Sequence, residues 1–334
     1  MHMGDVLISP VVGGTMLVAA VGVAAISVKK VKEMDEKKLP LMGVMAAFVF
    51  AAQMINFTIP GTGSSGHLAG ALMLSVLLGP YAGYLSMAAI LLIQALFFAD
   101  GGLLAYGGNL INMGFFACFI AYPFIYRFIV KKGISRTRLI LGSIIASVVG
   151  LQLGAFGVVL ETLFSGKTEL PFSQFVWTMQ GIQLAIGVVE GIVTAVVVSF
   201  VWKVRPDIIA EDTVNSGKKG YKPVIISFLI AAFVLGGAVS LIASSNPDGL
   251  EWSIGKVAGV EELQSDTKVH EALGEAQEKI AILPDYGFKA SEGNETMGTV
   301  VSGIVGSAVT LGIIVAVGFL INLAKKRNLK SKPQ

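Results

Sequence analysis

With 334 residues, 54% hydrophobic and 14% charged side chains and a mean hydropathy of +0.75, the chain is too apolar for a soluble globular protein, in which about 25% of residues are charged. The formal net charge of +3 is modest, and no nucleic-acid partner is expected. A single cysteine, Cys118, lies inside an apolar run, which excludes a disulfide framework and a thiolate metal cluster.

A spanning helix needs about 20 mostly apolar residues. In chain order the apolar segments are 7–28, 39–57, 68–98, 106–130, 138–160, 172–202, 223–243 and 298–324. No basic region precedes the first of them, so a cleaved signal peptide is not expected. The segment 68–98 is too long for one span and carries Gly79-Pro80 with Gly83 following, which predicts two spans joined by a tight turn. The expected fold is an all-α polytopic membrane protein with about nine transmembrane helices. Basic residues set its orientation. With the N-terminus outside and the C-terminus cytoplasmic, 20 of the 25 lysines and arginines fall inside, in groups around Lys29, Lys131, Lys203 and Lys325. Reading 68–98 as one span would place the Lys131 group outside. The expected location is the cell membrane of a prokaryote, with the lipid bilayer as the surrounding medium.

Between the last two spans, residues 244–297 hold eleven acidic residues against four lysines. They read as a solvated, acidic outer domain with a helix from about Val260 to Leu283, or as a field that recruits cations. The polar stretch 204–222 divides a seven-span module, 1–203, from a two-span hairpin, 223–334. Ala46, Ala47, Ala51 and Ala52 in the second span would permit close helix contact with a partner subunit or within the chain.

Three histidines are present: His2, His67 and His270. A free α-amine followed by His2 offers the amine, the amide nitrogen of residue 2 and imidazole Nδ1, which close a five- and a six-membered ring in one plane. Square-planar nitrogen sets favour Ni(II) or Cu(II). The topology puts Met1, His2 and His67 on the same outer face, so His67 is placed to fill the fourth position. The plainer reading makes His2 a chance terminal residue and His67 a helix-entry residue. His270 reads as an exposed helix residue. Asp5, Asp100 and Glu190 lie in or beside apolar segments, where ionisable groups are expensive and often functional. Asn109, Asn112, Gln53 and Gln94 are polar groups available to support the loops or to orient ligands. Gly166-Lys167-Thr168 lacks the first glycine of a phosphate-binding loop, and Glu161 stands there instead.

Met1-His2, the run Phe48 to Phe57 leading to Gly66-His67-Leu68, and Leu77-Leu78-Gly79-Pro80 with Gln94 to Gly102 together resemble the M-type substrate-binding component of nickel/cobalt energy-coupling-factor (ECF) transporters. Pro247-Asp248-Gly249-Leu250-Glu251 resembles the N-type component, so the likeness covers an M–N fusion. It implies an importer in which this chain captures Ni(II), or Co(II), while a transmembrane coupling subunit and ATPase subunits supply the energy. No other cofactor is implied, and this chain would not be an enzyme. The implied ligands are Met1, His2 and His67; Asn109, Asn112, Asp100 and Glu190 are further candidates for the site or path on their own chemistry, apart from the resemblance. Met3 stands where many relatives carry a branched aliphatic residue. The alternatives are a cobalt-specific component or a stand-alone secondary transporter, which would place ionisable residues deep in several spans.

Overall fold

The computed structural model describes residues 1–32, 39–209, 221–260, 263, 267–289 and 295–330, with only the backbone of 295, 296 and 321–330. Lys37, Lys38, Lys218, Lys219, Lys332, Glu261, Glu262, Asp266 and Glu292, invoked in the charge argument above, lie outside the described residues. So do the side chains of Glu295, Lys325, Lys326, Arg327 and Lys330.

The chain is helical almost throughout. Helix α1 (Pro10–Val31) starts at an N-capping Ser9 and is followed by α2 (Leu39–Gln53). A short hairpin, β1 (Phe57–Ile59) with β2 (Ser64–Gly66), leads to α3 (Ala71–Leu78) and α4 (Pro80–Phe97). The next span, Tyr106–Val130, consists of α5 (Tyr106–Leu110), a wide-turned stretch Ile111–Tyr126 and α6 (Arg127–Val130). The long helices α7 (Arg136–Phe164) and α8 (Phe172–Val204) pack against each other, and the single turn α9 (Pro206–Ile209) follows. The last part comprises α10 (Lys222–Gly237), α11 (Gly249–Ala258), α12 (Lys268–Ile280) and α13 (Glu295–Lys330).

Among the described residues, seven helical segments are long and apolar enough to cross a membrane, and α2 is shorter. The expected division of 68–98 is present at Gly79, whose φ of +88° breaks the helix before Pro80. However, α3 has eight residues and a length of about 12 Å, well short of the roughly 30 Å hydrocarbon core. It is a half-helix whose start is buried in protein, where non-helical backbone at membrane depth is tolerated.

Loops alternate between two ends of the bundle. At one end Ser9 N donates to Ser165 Oγ, Ser244 N to Asn56 O, and Gln277 Nε2 to Gly101 O. These bonds tie the loops after α2, α4 and α7 to the first residues and to the segment between α10 and α13. Lys29, Lys131, Arg136 and Lys203 stand at the opposite helix ends. The polar segment does not form one helix from Val260. Helix α11 stops at Gly259, which takes a φ of +76°, and α12 begins only after the N-capping Thr267.

Helix α2 is buried from Leu41 through Gln53, and α10 and α13 cover it. Ala46, Ala47, Ala51 and Ala52 are at most 3% exposed, so this small-residue face packs within the chain and is not offered to another subunit. The hairpin itself crosses glycine to glycine: a Cβ on Gly303 of α13 would stand 2.3 Å from the carbonyl oxygen of Gly236 in α10. Gly303→Leu is therefore expected to destabilise the hairpin by about 1–3 kcal/mol through overpacking. Thermal unfolding in detergent checks this, and an unchanged midpoint would show that the crossing has slack.

Candidate metal centre

The first nine residues fold back into the end of the bundle. Met3 is fully buried, and its main chain is held twice by Asn109 of α5: Met3 N donates to Asn109 Oδ1 at 2.7 Å, and Asn109 Nδ2 donates to Met3 O at 3.0 Å. Gly102 N donates to the same carbonyl at 2.8 Å. Asp5 Oδ1 accepts from Leu104 N and Ala105 N at 2.7 and 3.0 Å. A Cβ at Gly102 would collide with Asp5, so only glycine allows this approach. With residues 3 and 5 pinned, Met1 and His2 have a defined place. Met3, to which the sequence assigned no role, is the anchor that provides it.

The sequence-predicted donors converge. Met1 N lies 2.9 Å from His67 Nε2, and the His2 and His67 rings stack with centroids 5.0 Å apart and planes 7° off parallel. His67 Nδ1 lies 3.2 Å from Leu68 O. That nitrogen must donate, which leaves the Nε2 lone pair facing Met1. His2 Nδ1 lies 3.1 Å from Asp100 Oδ1, and Tyr286 Oη donates to Asp100 Oδ2. His2 Nε2 is buried without a hydrogen-bond partner among the described residues.

Asp248 completes the cluster. It is the N-cap of α11, with Oδ1 accepting from Leu250 N and Glu251 N while Glu251 Oε2 accepts from Asp248 N. This capping box occupies one carboxylate oxygen. The other accepts from Met1 N at 2.5 Å and stands 3.6 Å from His67 Nε2. The turn that carries it is docked on the hairpin before His67: Ser65 N donates to Pro247 O, Ser65 Oγ to Asn246 O, and Trp252 Nε1 to Thr62 O. A Cβ on Gly249 would come 2.9 Å from the end of the Ile186 side chain of α8, so this turn packs closely on that helix. Sequence reasoning counted Asp248 among eleven acidic residues. The signal that separates it is the Asp-Gly-Leu-Glu capping box, which fixes its backbone and leaves one oxygen free.

Electrostatics favour a cation here. Burial alone would raise the Asp248 carboxyl, but the positive amino terminus beside it reverses this and holds it well below its ordinary value. Asp100 behaves alike, with His2 and the Tyr286 hydroxyl outweighing burial. His67 is pushed below its ordinary value by burial and then by the nearby amino-terminal charge, so its imidazole is neutral at pH 7. A cavity of about 730 Å³ opens onto these groups, with His2, His67, Asp100, Asp248 and Glu251 in its wall.

Other sequence candidates sit elsewhere. Asn112 Nδ2 donates to both Glu161 oxygens at 3.0 and 3.1 Å and lies 3.9 Å from Met3 Sδ. Glu190 does not reach Met1 or His2; its oxygens accept from Ala69 N and Gly70 N. His270 is 4% exposed, not a surface residue, and its Nε2 lies 3.0 Å from Ile8 O. Among the described residues, no three His, Cys, Asp or Glu side chains are grouped to hold a metal.

Residues 2–208 match the family described as "Cobalt uptake substrate-specific transmembrane region", and residues 222–323 match the PDGLE domain. A putative fused nickel transport protein, NikMN, of Archaeoglobus fulgidus is 33% identical over 96% of this chain and 98% of its own. A probable fused nickel transport protein, LarMN, of Lactiplantibacillus plantarum is 32% identical over 76% of this chain and 78% of its own. The crystal structure of a truncated transition metal transporter, 32% identical, superimposes with a TM-score of 0.54 over 61% of this chain and 99% of that one. The chain is a multi-pass membrane protein that belongs to the cobalt uptake substrate-specific transmembrane family, in the form that carries a PDGLE domain.

Proposed function

We propose that this chain captures Ni(II) at its outer face through a square-planar set of four nitrogens: the Met1 amine, the His2 amide and Nδ1, and His67 Nε2. The observation that carries the reading is the 2.9 Å between Met1 N and His67 Nε2. Two cis ligands in a square plane with metal–nitrogen bonds of about 2.0–2.1 Å stand about 2.8–3.0 Å apart, so one edge of the plane is already set. His2 supplies the other two donors when its ring turns from Asp100 toward the amine. The anionic Asp100 and Asp248 draw the ion through the cavity, and they stand against His2 Nδ1 and the Met1 amine before it binds.

Residues 1–203 form the metal-binding module in this reading, 204–222 a linker, and 223–334 the second module that presents Asp248. Energy comes from other chains, a transmembrane coupling subunit and ATPase subunits of the ECF type, and no catalytic constellation is assigned to this one. Nickel is favoured over cobalt because a deprotonated amide in an N4 plane suits Ni(II). The fused relatives also carry nickel in their names.

Acidification tests the donor set. Nitrogen donors bind nickel only without their competing protons, so metal and protons compete for the site. Apparent affinity is expected to fall as the pH drops from about 8 to about 6, by more than one proton per metal. A site of carboxylates would hold its affinity until near pH 4–5. Nickel titrations of the purified protein, with metal analysis and the visible absorption spectrum, decide between them. A flat response over that range would sink the nitrogen site.

A further inference from the structure

The short helix α3 begins among buried residues, and N–H groups at a buried helix start need partners inside the protein. Gly70, its N-cap, has a φ of +78° and no capping side chain of its own. The partner comes from another span. Glu190, 2% exposed in the middle of α8, accepts from Ala69 N at 2.8 Å through Oε2 and from Gly70 N at 3.1 Å through Oε1. A carboxylate at a helix N-terminus is favourably placed for the helix dipole as well.

The same peptide is gripped from the other side. Gln53 at the end of α2 donates from Nε2 to Ala69 O at 2.8 Å, and Gln94 of α4 donates to Gln53 Oε1 at 2.9 Å. Ala69 therefore has its N–H bound to α8 and its carbonyl bound to α2, two residues beyond His67. His67 Nδ1 is fixed by Leu68 O, the intervening residue. The orientation of the imidazole is thus inherited from the position of residues 68–70.

We infer that Glu190 is a positioning residue for His67: by tying the start of α3 to α8, it sets where the imidazole meets the metal. The inference rests on His67 being a metal ligand. It also gives a route by which a displacement of α8 along α3 withdraws one of the four donors, since the clamp joins a span to the ligand-bearing segment with no flexible link between them.

Glu190→Gln keeps the shape but turns an N–H₂ toward one of the two backbone donors. Loss of an outer partner of a metal ligand costs about 10–100-fold in affinity. Nickel affinity of Glu190→Gln is therefore expected to fall at least about tenfold, with a shifted visible spectrum. Thr194→Val, one turn further along α8 at a side chain that is also fully buried, should leave both unchanged. In a double-mutant cycle, Glu190→Gln should cost nothing further once His67 is alanine, which a general packing defect would not reproduce. If Glu190→Gln does not fold, Gln53→Leu tests the clamp from the carbonyl side with the same expected loss. Wild-type affinity and spectrum in a folded Glu190→Gln, with His67→Ala defective, would overturn the clamp alone. Nickel binding that ignores His67 would overturn the metal centre and the clamp with it.

Discussion

His67→Ala is expected to lower nickel affinity by at least about 100-fold, beyond the roughly 10–100-fold attached to outer-sphere partners of a metal ligand. The ring places Nε2 2.9 Å from Met1 N, and Nε2 is the nitrogen left over by the contact of Nδ1 with Leu68 O. Its loss leaves three donors from residues 1 and 2 with no fourth nitrogen beside them. The fold should survive. The backbone of residues 64–70 is held by bonds that the imidazole does not make: Ser65 to Pro247, and Ala69 to Glu190 and Gln53. Size-exclusion behaviour and thermal unfolding in detergent would report an intact bundle, and metal competition against a chromophoric chelator would report the loss. A folded variant with wild-type nickel stoichiometry and affinity would remove His67 from the site.

Much of the architecture was legible because bilayer physics is blunt. Twenty apolar residues have few other fates, and lysines gather at one set of loop ends. The half-helix escaped because hydropathy cannot distinguish apolar residues that cross lipid from apolar residues that start inside protein; Leu68, Ala69 and Ala71 serve the second purpose. The alanines of α2 were ambiguous for a related reason. A small-residue face states that a backbone will come close, not whose, and here α2 is covered by helices of the same chain, α10 and α13 foremost.

At the site, Met1, His2 and His67 were legible from donor chemistry and from which loops share an end of the bundle. The groups that hold them were not. Asn109 grips Met3 across 106 positions, and Asp248 reaches Met1 across 247. Such pairings follow from packing and leave no periodic trace in a sequence. His270 misled because its helix is polar overall, while the one buried face of that helix is what docks on Ile8 and Ala95.

Extending the chain by three residues before Met1 is expected to lower nickel affinity by about 100-fold or more, on the same scale as losing a ligand outright. Two independent causes add. Chemically, the Met1 nitrogen becomes a peptide nitrogen, so the sequence of amine, amide and imidazole that closes a five- and a six-membered ring no longer starts at residue 1. Sterically, Met1 is 5% exposed, and its nitrogen is already in contact with His67 and Asp248, so added residues have to displace that contact. A one-residue extension is the sharper comparison. It makes His2 the third residue, where an amine, two amides and the imidazole can fill a square plane by themselves. Any nickel that such a variant binds should therefore no longer depend on His67, and His67→Ala in that background should change little. Affinities of the three forms, each with and without His67, separate the causes. Tight, His67-dependent nickel binding by the three-residue extension would show that the Met1 amine is not a ligand.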